Sequence, residues 1–443
     1  MSTDVDVVVV GARVSGSTLA TLLARHGLRV AVLDKARFPS DIASTHIVQP
    51  FGVAVLERLG VRGELARRGA ATLDRLLLVY DDARLEASYD SPLARATLST
   101  GSTPGLNARR IVLDDVLLEA ARDAGADVRT GTPVTGLVRD GDGRVCGVRS
   151  GDDTVTARVV VGADGRHSFV AGQVGAREYA GYPPGRLAAW GYFRGADLDA
   201  NRLRIGRLGE QAWISCPAGE GLFLVGVVPG HETRDEFLAD RERNFADAVR
   251  DWPELATLVE GAERVGPLRV VADWRGYLRE SAGPGWVLTG DAGNFKDPAA
   301  AQGIADALRQ AETLAGHVAA GLDHGDVDHE TRAWWRWRDD DCRAMHWFAA
   351  DMGAAGPTRP VTAQAMRDVA GDELAGVQLL QVLNRDLPPD ALLTRPRLAR
   401  AAGRALRRGD RRAVLSEVGA GLRDEVVRGR SARRPREFAT ARS

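Results

Sequence analysis

Val5-Asp6-Val7-Val8-Val9-Val10 runs directly into Gly11-Ala12-Arg13-Val14-Ser15-Gly16, and this stretch decides the reading of everything around it. The apolar run suits a buried parallel strand. Ser17 to His26 carries Leu19, Leu22 and Leu23 at helical spacing, so both glycines fall in a strand-to-helix turn. An anionic phosphate is favoured at such a helix start, where unpaired N–H groups and the helix dipole point at it. Arg29 to Leu33 reads as the next strand, and Asp34 lies 23 residues after Gly11, close to the ~20 expected of an acid that accepts from a ribose hydroxyl. That acid would repel a 2′-phosphate, so the site fits the adenosine half of FAD or NAD rather than of NADP. Arg13 departs from the pattern, because it stands where the second glycine of G-x-G-x-x-G lets the backbone approach a pyrophosphate. Gly11, Arg13, Gly16, Asp34 and Lys35 are the candidate residues of this first motif, although a strand-turn-helix can use glycine for geometry alone.

Two later motifs stand in an order that a plain turn does not explain. Arg158 to Val161 is another buried-strand pattern and ends in Gly162-Ala163-Asp164-Gly165; Gly285 to Thr289 is a third and ends in Gly290-Asp291. An acid at the carboxyl end of a strand faces the crevice where an α/β sheet binds ligands. Beyond Asp291 the run Asn294 to Gly303, with Pro298 inside it, leads into Ile304 to Ala320, an Ala- and Leu-rich helix whose N-terminus suits negative charge on a reduced flavin. Together the three motifs read as an FAD site.

On these residues the chain resembles the flavoprotein monooxygenases of the p-hydroxybenzoate hydroxylase type, over about residues 4 to 330. The resemblance implies an α/β fold: an FAD-binding Rossmann-like domain of the glutathione-reductase type, an inserted antiparallel-sheet substrate domain and a helical C-terminal region. It implies that Gly11, Gly16 and Asp34 hold the ADP half of FAD and that Asp291 bonds the ribityl chain. Asp164 and Gly165 match the family's Asp-Gly motif between the FAD pyrophosphate and the passing NAD(P)H. Arg110, or Arg109 beside it, matches the arginine near the FAD phosphates, Pro298 and the Gly303, Ile304, Ala305 turn match the segment lining the flavin ring, and Gly290 beside Asp291 is a further cofactor-binding candidate. Ala171 and Ala305 replace an arginine and an asparagine of the family pattern. The activity implied is monooxygenation: NAD(P)H reduces the flavin, oxygen adds at C4a, and the hydroperoxide delivers an oxygen atom to an electron-rich aromatic or polyketide-like molecule of secondary metabolism. A flavin-dependent reductase of prenyl or other alkenes, and a non-catalytic FAD-binding protein, are the alternatives. Halogenation is a minor one, since no lysine falls between Lys35 and Lys296 to capture a hypohalous acid, and Trp335 and Trp337 are followed by Arg338 and Asp339 rather than by the tryptophan-halogenase signature.

Composition agrees with an enzyme of this size. The 443 residues exceed the ~250–300 that one hydrophobic core serves, so several substructures are expected. The division expected is a discontinuous FAD-binding part (1–75, 105–178 and 279–330), a substrate part (76–104 and 179–278) and a helical C-terminal region (331–443). Leu187 to Arg194, Arg202 to Leu208, Gln211 to Cys216 and Gly221 to Val228 read as antiparallel strands, interrupted by a helical stretch over Arg234 to Trp252. No apolar run approaches the ~18–20 residues of a membrane span, and the N-terminus reads as a strand rather than a signal sequence. Cys146, Cys216 and Cys342 are far apart and suggest neither a metal site nor a disulfide framework, which fits a cytoplasmic protein.

The substrate pocket and the C-terminus leave more open. Trp190 and Tyr192 share one face of a strand, Phe193 takes the other, and Trp213 is expected to join the first pair from the neighbouring strand; all of them either stack a substrate or pack the core. His46 is the candidate base, or a packed histidine. Trp334, Trp335, Trp337 and Trp347 lie on a helix over about Thr331 to Asp351, packing against the sheet. From Arg395 to Ser443 there are 15 arginines against 5 acidic residues, in a chain of formal net charge −1. This basic tail either attracts an acidic partner, such as a carrier protein or anionic lipid, or is a solvated helical extension. Nothing resembles a nucleic-acid-binding motif.

Overall fold

The computed structural model of the chain describes residues 4–196, 201–409 and 411–431. Five strands run parallel in the order Trp286–Leu288, Asp153–Gly162, Val5–Val10, Val30–Asp34, Asp127–Thr130. Val9 sits between Val161 and Val32 in register, so the carboxyl ends of the central strands, and with them the glycine and acid motifs, come out on one edge. Alternation along Val5–Val10 explains why both faces are covered. Val7 and Val9 pack under the helices Val14–Arg25 and Gly303–His324, while Val8 and Val10 pack with Val145, Val148 and Val170 on the other side.

The second sheet has seven strands in the order Glu263–Val271, Ala188–Arg194, Leu222–Val227, Gln211–Gly219, Arg202–Leu208, Arg75–Tyr80, Ala83–Ser88. It is antiparallel except where Arg202–Leu208 meets Arg75–Tyr80, a parallel pairing between segments far apart in sequence. Its outer face buries Phe193, Trp213 and Phe223 against Phe237, Phe245 and Trp252. Those last residues belong to a helical stretch that is broken, not continuous: Arg234–Ala239 ends at Asp240, whose carboxylate accepts from the Arg243 N–H and starts Arg241–Arg250. Aspartate is favoured at such an N-cap and disfavoured inside a helix, which is why the expected helical stretch divides there.

The inner face of this sheet carries Trp190, Leu203 and Leu224 and is closed by the C-terminal helices through Met366, Leu379 and Leu380. Helix Val327–Gly353 buries Trp334 against Gly303–His324, the Trp334 indole N–H donating to the Gln310 carbonyl at 3.2 Å. Pro360–Val369, Glu373–Leu383, Arg395–Arg408 and Arg411–Ser431 follow. The part of the basic tail at 432–443 lies outside the described residues.

Candidate functional site

The first strand-to-helix turn is drawn tight by its backbone. Gly11 has φ +104, and a Cβ there would stand 2.5 Å from the Ala163 carbonyl oxygen; one at Gly16 would collide with the Gly11 carbonyl oxygen. The first and second motifs therefore touch through glycine. Asp34 ends its strand buried, with Oδ2 accepting from the Ala12 N–H and Oδ1 from the Ala36 N–H, both at 2.7 Å. Lys35 beside it is exposed.

Arg13 needs no glycine, since its backbone is extended at φ −88. Its guanidinium lies over the Phe38 ring, donates to the Ser40 hydroxyl at 3.0 Å and pairs with Asp114 at 2.6 Å. Fully buried Asp114 also holds Arg110, four residues earlier on helix Arg110–Asp123, through bonds of 2.9 and 3.0 Å. One carboxylate thus fixes two guanidinium groups at the mouth of the crevice. Arg109 is committed elsewhere, to Glu220 at 3.1 Å. Asp114 escaped the sequence reading, although its i,i+4 spacing from Arg110 is the signal that finds it.

The other two motifs place acids on the same edge. Asp164 accepts from the Val170 N–H at 3.1 Å through one oxygen, while its other oxygen is buried without a partner among the described residues. Burial raises its pKa, against the hydrogen bonds from Ser168 and Val170. Asp291 follows Gly290 in a short turn, and among the described residues its carboxylate receives no hydrogen bond; burial raises its pKa, against the pull of Arg110, Lys296 and Arg166. Asp297 caps the Pro298–Ala300 turn by accepting from the Ala299 N–H at 2.9 Å, and the Trp274 indole N–H also donates to it, at 3.0 Å. Gly303 starts its helix with open space beside it, and Ile304 is half-buried. Ala305 points away from this edge and packs onto helix Pro50–Leu59, where a Cβ on Gly52 would approach its own to 2.6 Å. That contact leaves no room for an asparagine, which accounts for one departure from the family pattern.

The aromatic candidates divide between the two faces. Trp190 pairs with Gly226, which pairs with Ile214, so Ile214 shares the inner face and the neighbouring Trp213 takes the outer one. Trp213 does not join Trp190 and Tyr192; it packs edge-on against Trp252 at 5.2 Å. His46 is brought to Tyr192 instead: the rings stack at 5.9 Å, and the imidazole Nε2 and the phenol hydroxyl share a hydrogen bond. Burial, reinforced by Arg110, Arg109 and Arg269, pushes the His46 pKa down to about 3, so the ring is neutral at physiological pH. Its Nδ1 is buried and without a partner among the described residues.

Between the inner face, the Pro298 turn and the C-terminal helices lies a cavity of about 720 Å³. Leu78, Trp190, Ile214, Pro298, Phe348 and Met366 line it, and Asp424 and Arg428 of the last helix close one end. A second cavity, of about 910 Å³, opens beside the Asp164-Gly165 turn and is lined by Arg166, His167, Ala171, Arg275, Tyr277 and Arg279. Ala171 leaves space there, and the cationic groups come from Arg166 next to the turn and from Arg275 and Arg279 of another segment.

These residues fit FAD. A glycine cradle that any Cβ would fill, a strand-end carboxylate fixed for a ribose, two guanidinium groups held together and an orphaned buried oxygen on Asp164 converge on one sheet edge. The class defined is a flavin-binding α/β enzyme with a separate substrate-sized cavity. A family model described as an FAD binding domain matches residues 4–329, and the chain belongs to that family, as an FAD-dependent oxidoreductase of the p-hydroxybenzoate hydroxylase-like type. It is 32% identical to a menaquinone reductase of Mycolicibacterium smegmatis, covering 75% of this chain and 80% of that protein. It is 30% identical to a 6-methylpretetramide 4-monooxygenase of Streptomyces rimosus, covering 73% and 77%. The solved structure of a myxobacterial chondrochloren halogenase shares the fold at TM-score 0.71 and 20% identity, covering 93% of this chain and 99% of that one.

Proposed function

We propose that this oxidoreductase is a monooxygenase that takes NAD(P)H as reductant and hydroxylates or epoxidises an aromatic or polyketide-like small molecule in the cytoplasm. The observation that carries the reading is the apolar cavity of about 720 Å³ with the Pro298 turn as one wall. It is large enough for a multi-ring substrate, and its lining keeps water from the reacting atoms. The division of the chain given above, with 1–75, 105–178 and 279–330 for FAD and 76–104 and 179–278 for substrate, belongs to this proposal.

When bound, FAD supplies the redox chemistry with molecular oxygen. Gly11 and Gly16 admit it, Asp34 takes its ribose hydroxyls, Asp291 its ribityl chain, and Arg13 and Arg110 offset its phosphate charge. The start of helix Gly303–His324 stabilises negative charge through its unpaired N–H groups. Neutral His46 shares a hydrogen bond with the Tyr192 hydroxyl and so holds that hydroxyl in one orientation at the sheet's inner face. The arginines beside Gly165 suit the phosphates of a nicotinamide donor.

A flavin-dependent alkene (prenyl) reductase is the second reading, favoured by the menaquinone reductase relative. The halogenase reading is weakened by Lys296, which is buried and tied to Asp306. The test follows NADH and NADPH oxidation together with oxygen uptake over a panel of phenolic, polyketide-like and prenylated compounds. Substrate-stimulated oxygen uptake supports the monooxygenase. Substrate reduction that proceeds equally without oxygen sinks it in favour of the alkene reductase.

A further inference from the structure

Seven large apolar side chains stand exposed among the described residues, and five of them lie on helix Arg411–Ser431: Leu415, Val418, Leu422, Val426 and Val427. The first four recur at helical spacing and form one outward stripe. The opposite side of the helix is seated, with Val414 buried among Val361, Ala401 and Ala405, and Arg428 bonded to Asp351 at 2.9 and 2.5 Å. The stripe is therefore the free side of a docked helix.

Its surroundings are strongly cationic. Arg407, Arg408, Arg411, Arg412 and Arg423 are exposed next to it. Of the acids on this helix, Glu417 accepts from the Val361 and Thr362 N–H groups, Glu425 pairs with Arg395, and Asp424 lines the cavity rather than the stripe. Among the described residues Arg407, Arg411 and Arg423 have no carboxylate partner. A stripe of leucine and valine without an aromatic anchor, flanked by arginines whose stems can lie along apolar surface, matches the interfacial layer of an anionic bilayer. A second copy would bring the same arginines face to face across an isologous interface, and a protein partner would be expected to meet an aromatic hot spot.

We infer that helix Arg411–Ser431 docks this enzyme on the surface of an anionic lipid bilayer, through the Leu415–Val426 stripe and the flanking arginines. The inference stands apart from the oxygenase reading, because lipid binding is measured without turnover. Gly421, Asp424 and Arg428 of the same helix wall the apolar cavity, so docking sets that wall at the membrane, where an apolar substrate concentrates.

The experiment is sedimentation of the full-length flavoprotein with vesicles of mixed phosphatidylglycerol and phosphatidylcholine, and with phosphatidylcholine alone. Binding should be at least about tenfold tighter to the anionic vesicles and should weaken with salt. The variant L415S/L422S/V426S should bind at least about tenfold more weakly, with flavin absorbance and melting temperature unchanged. R407E/R411E/R423E should erase the preference for anionic lipid. Absence of binding to anionic vesicles, or equal binding by the wild type and the serine variant, overturns the inference. So does a concentration-dependent dimer that the serine variant abolishes, or preferential capture by an acidic carrier protein with no vesicle binding.

Discussion

The flavin crevice and the apolar cavity are built from different materials. The crevice is made of backbone approaching backbone: Gly11 against Ala163, Gly16 against Gly11, and one buried carboxylate holding Arg13 and Arg110. The cavity is made of side chains gathered from Leu78, Trp190, Ile214, Pro298, Phe348 and Arg428, on segments that meet only in the finished fold. A site of the first kind tolerates almost no change and binds one ligand. The second kind changes its occupant by changing a side chain, which is how relatives of one fold come to carry names as different as reductase and monooxygenase.

That contrast ranks the substitutions that probe it. The largest effect is expected from Gly16→Ala, whose methyl group meets the Gly11 carbonyl; a cost of about 3 kcal/mol or more and loss of flavin should show in melting temperature and in absorbance. Asp114→Ala leaves two guanidinium groups without their shared carboxylate, and should cost roughly 3 kcal/mol in denaturant unfolding while lowering FAD affinity. Gly52→Ala overpacks Ala305 and should cost about 1–3 kcal/mol with flavin retained. If Gly52→Ala cost more than Gly16→Ala, the crevice would not be the stricter region.

A smaller effect is expected from pH. Burial pushes the pKa of His46 down to about 3 and that of His346 down to about 4. Both folded values lie below the ordinary histidine value of ~6.5, so the unfolded chain takes up protons first as the medium is acidified. The stability due to this is whole above about pH 6.5 and is lost as pH falls towards 4 and then 3. His46→Gln should flatten the stability profile across that window by a slope of the order of 1 kcal/mol per pH unit; an unchanged slope would mean that the ring is not held neutral. The smallest effect belongs to Arg428→Ala, at the half-exposed end of the cavity: about 1 kcal/mol or less in stability, with KM rising more than kcat falls.

The same contrast explains what the sequence disclosed. Gly11, Asp34, Asp164 and Asp291 were legible because each follows or ends a strand, and Gly16 because it opens the helix after the first one, all at local spacing. The four strands from Leu187 to Val228 were legible through alternation and the turns between them. Alternation assigns faces within a strand, but the phase between strands is set by register, and a one-residue offset sends Trp213 to the outer face. The parallel pairing of Arg75–Tyr80 with Arg202–Leu208, and the closure of the cavity by helices beyond residue 353, depend on contacts across more than a hundred residues that no local pattern carries.

The central claim is that the apolar cavity delivers a substrate to oxygen chemistry supplied at the crevice. The most direct test is turnover under ¹⁸O₂ with NAD(P)H and a substrate that stimulates oxygen uptake, followed by mass spectrometry of the product. Incorporation of one ¹⁸O atom per turnover is the predicted result, and a product that carries none, or one formed equally well without oxygen, would contradict it.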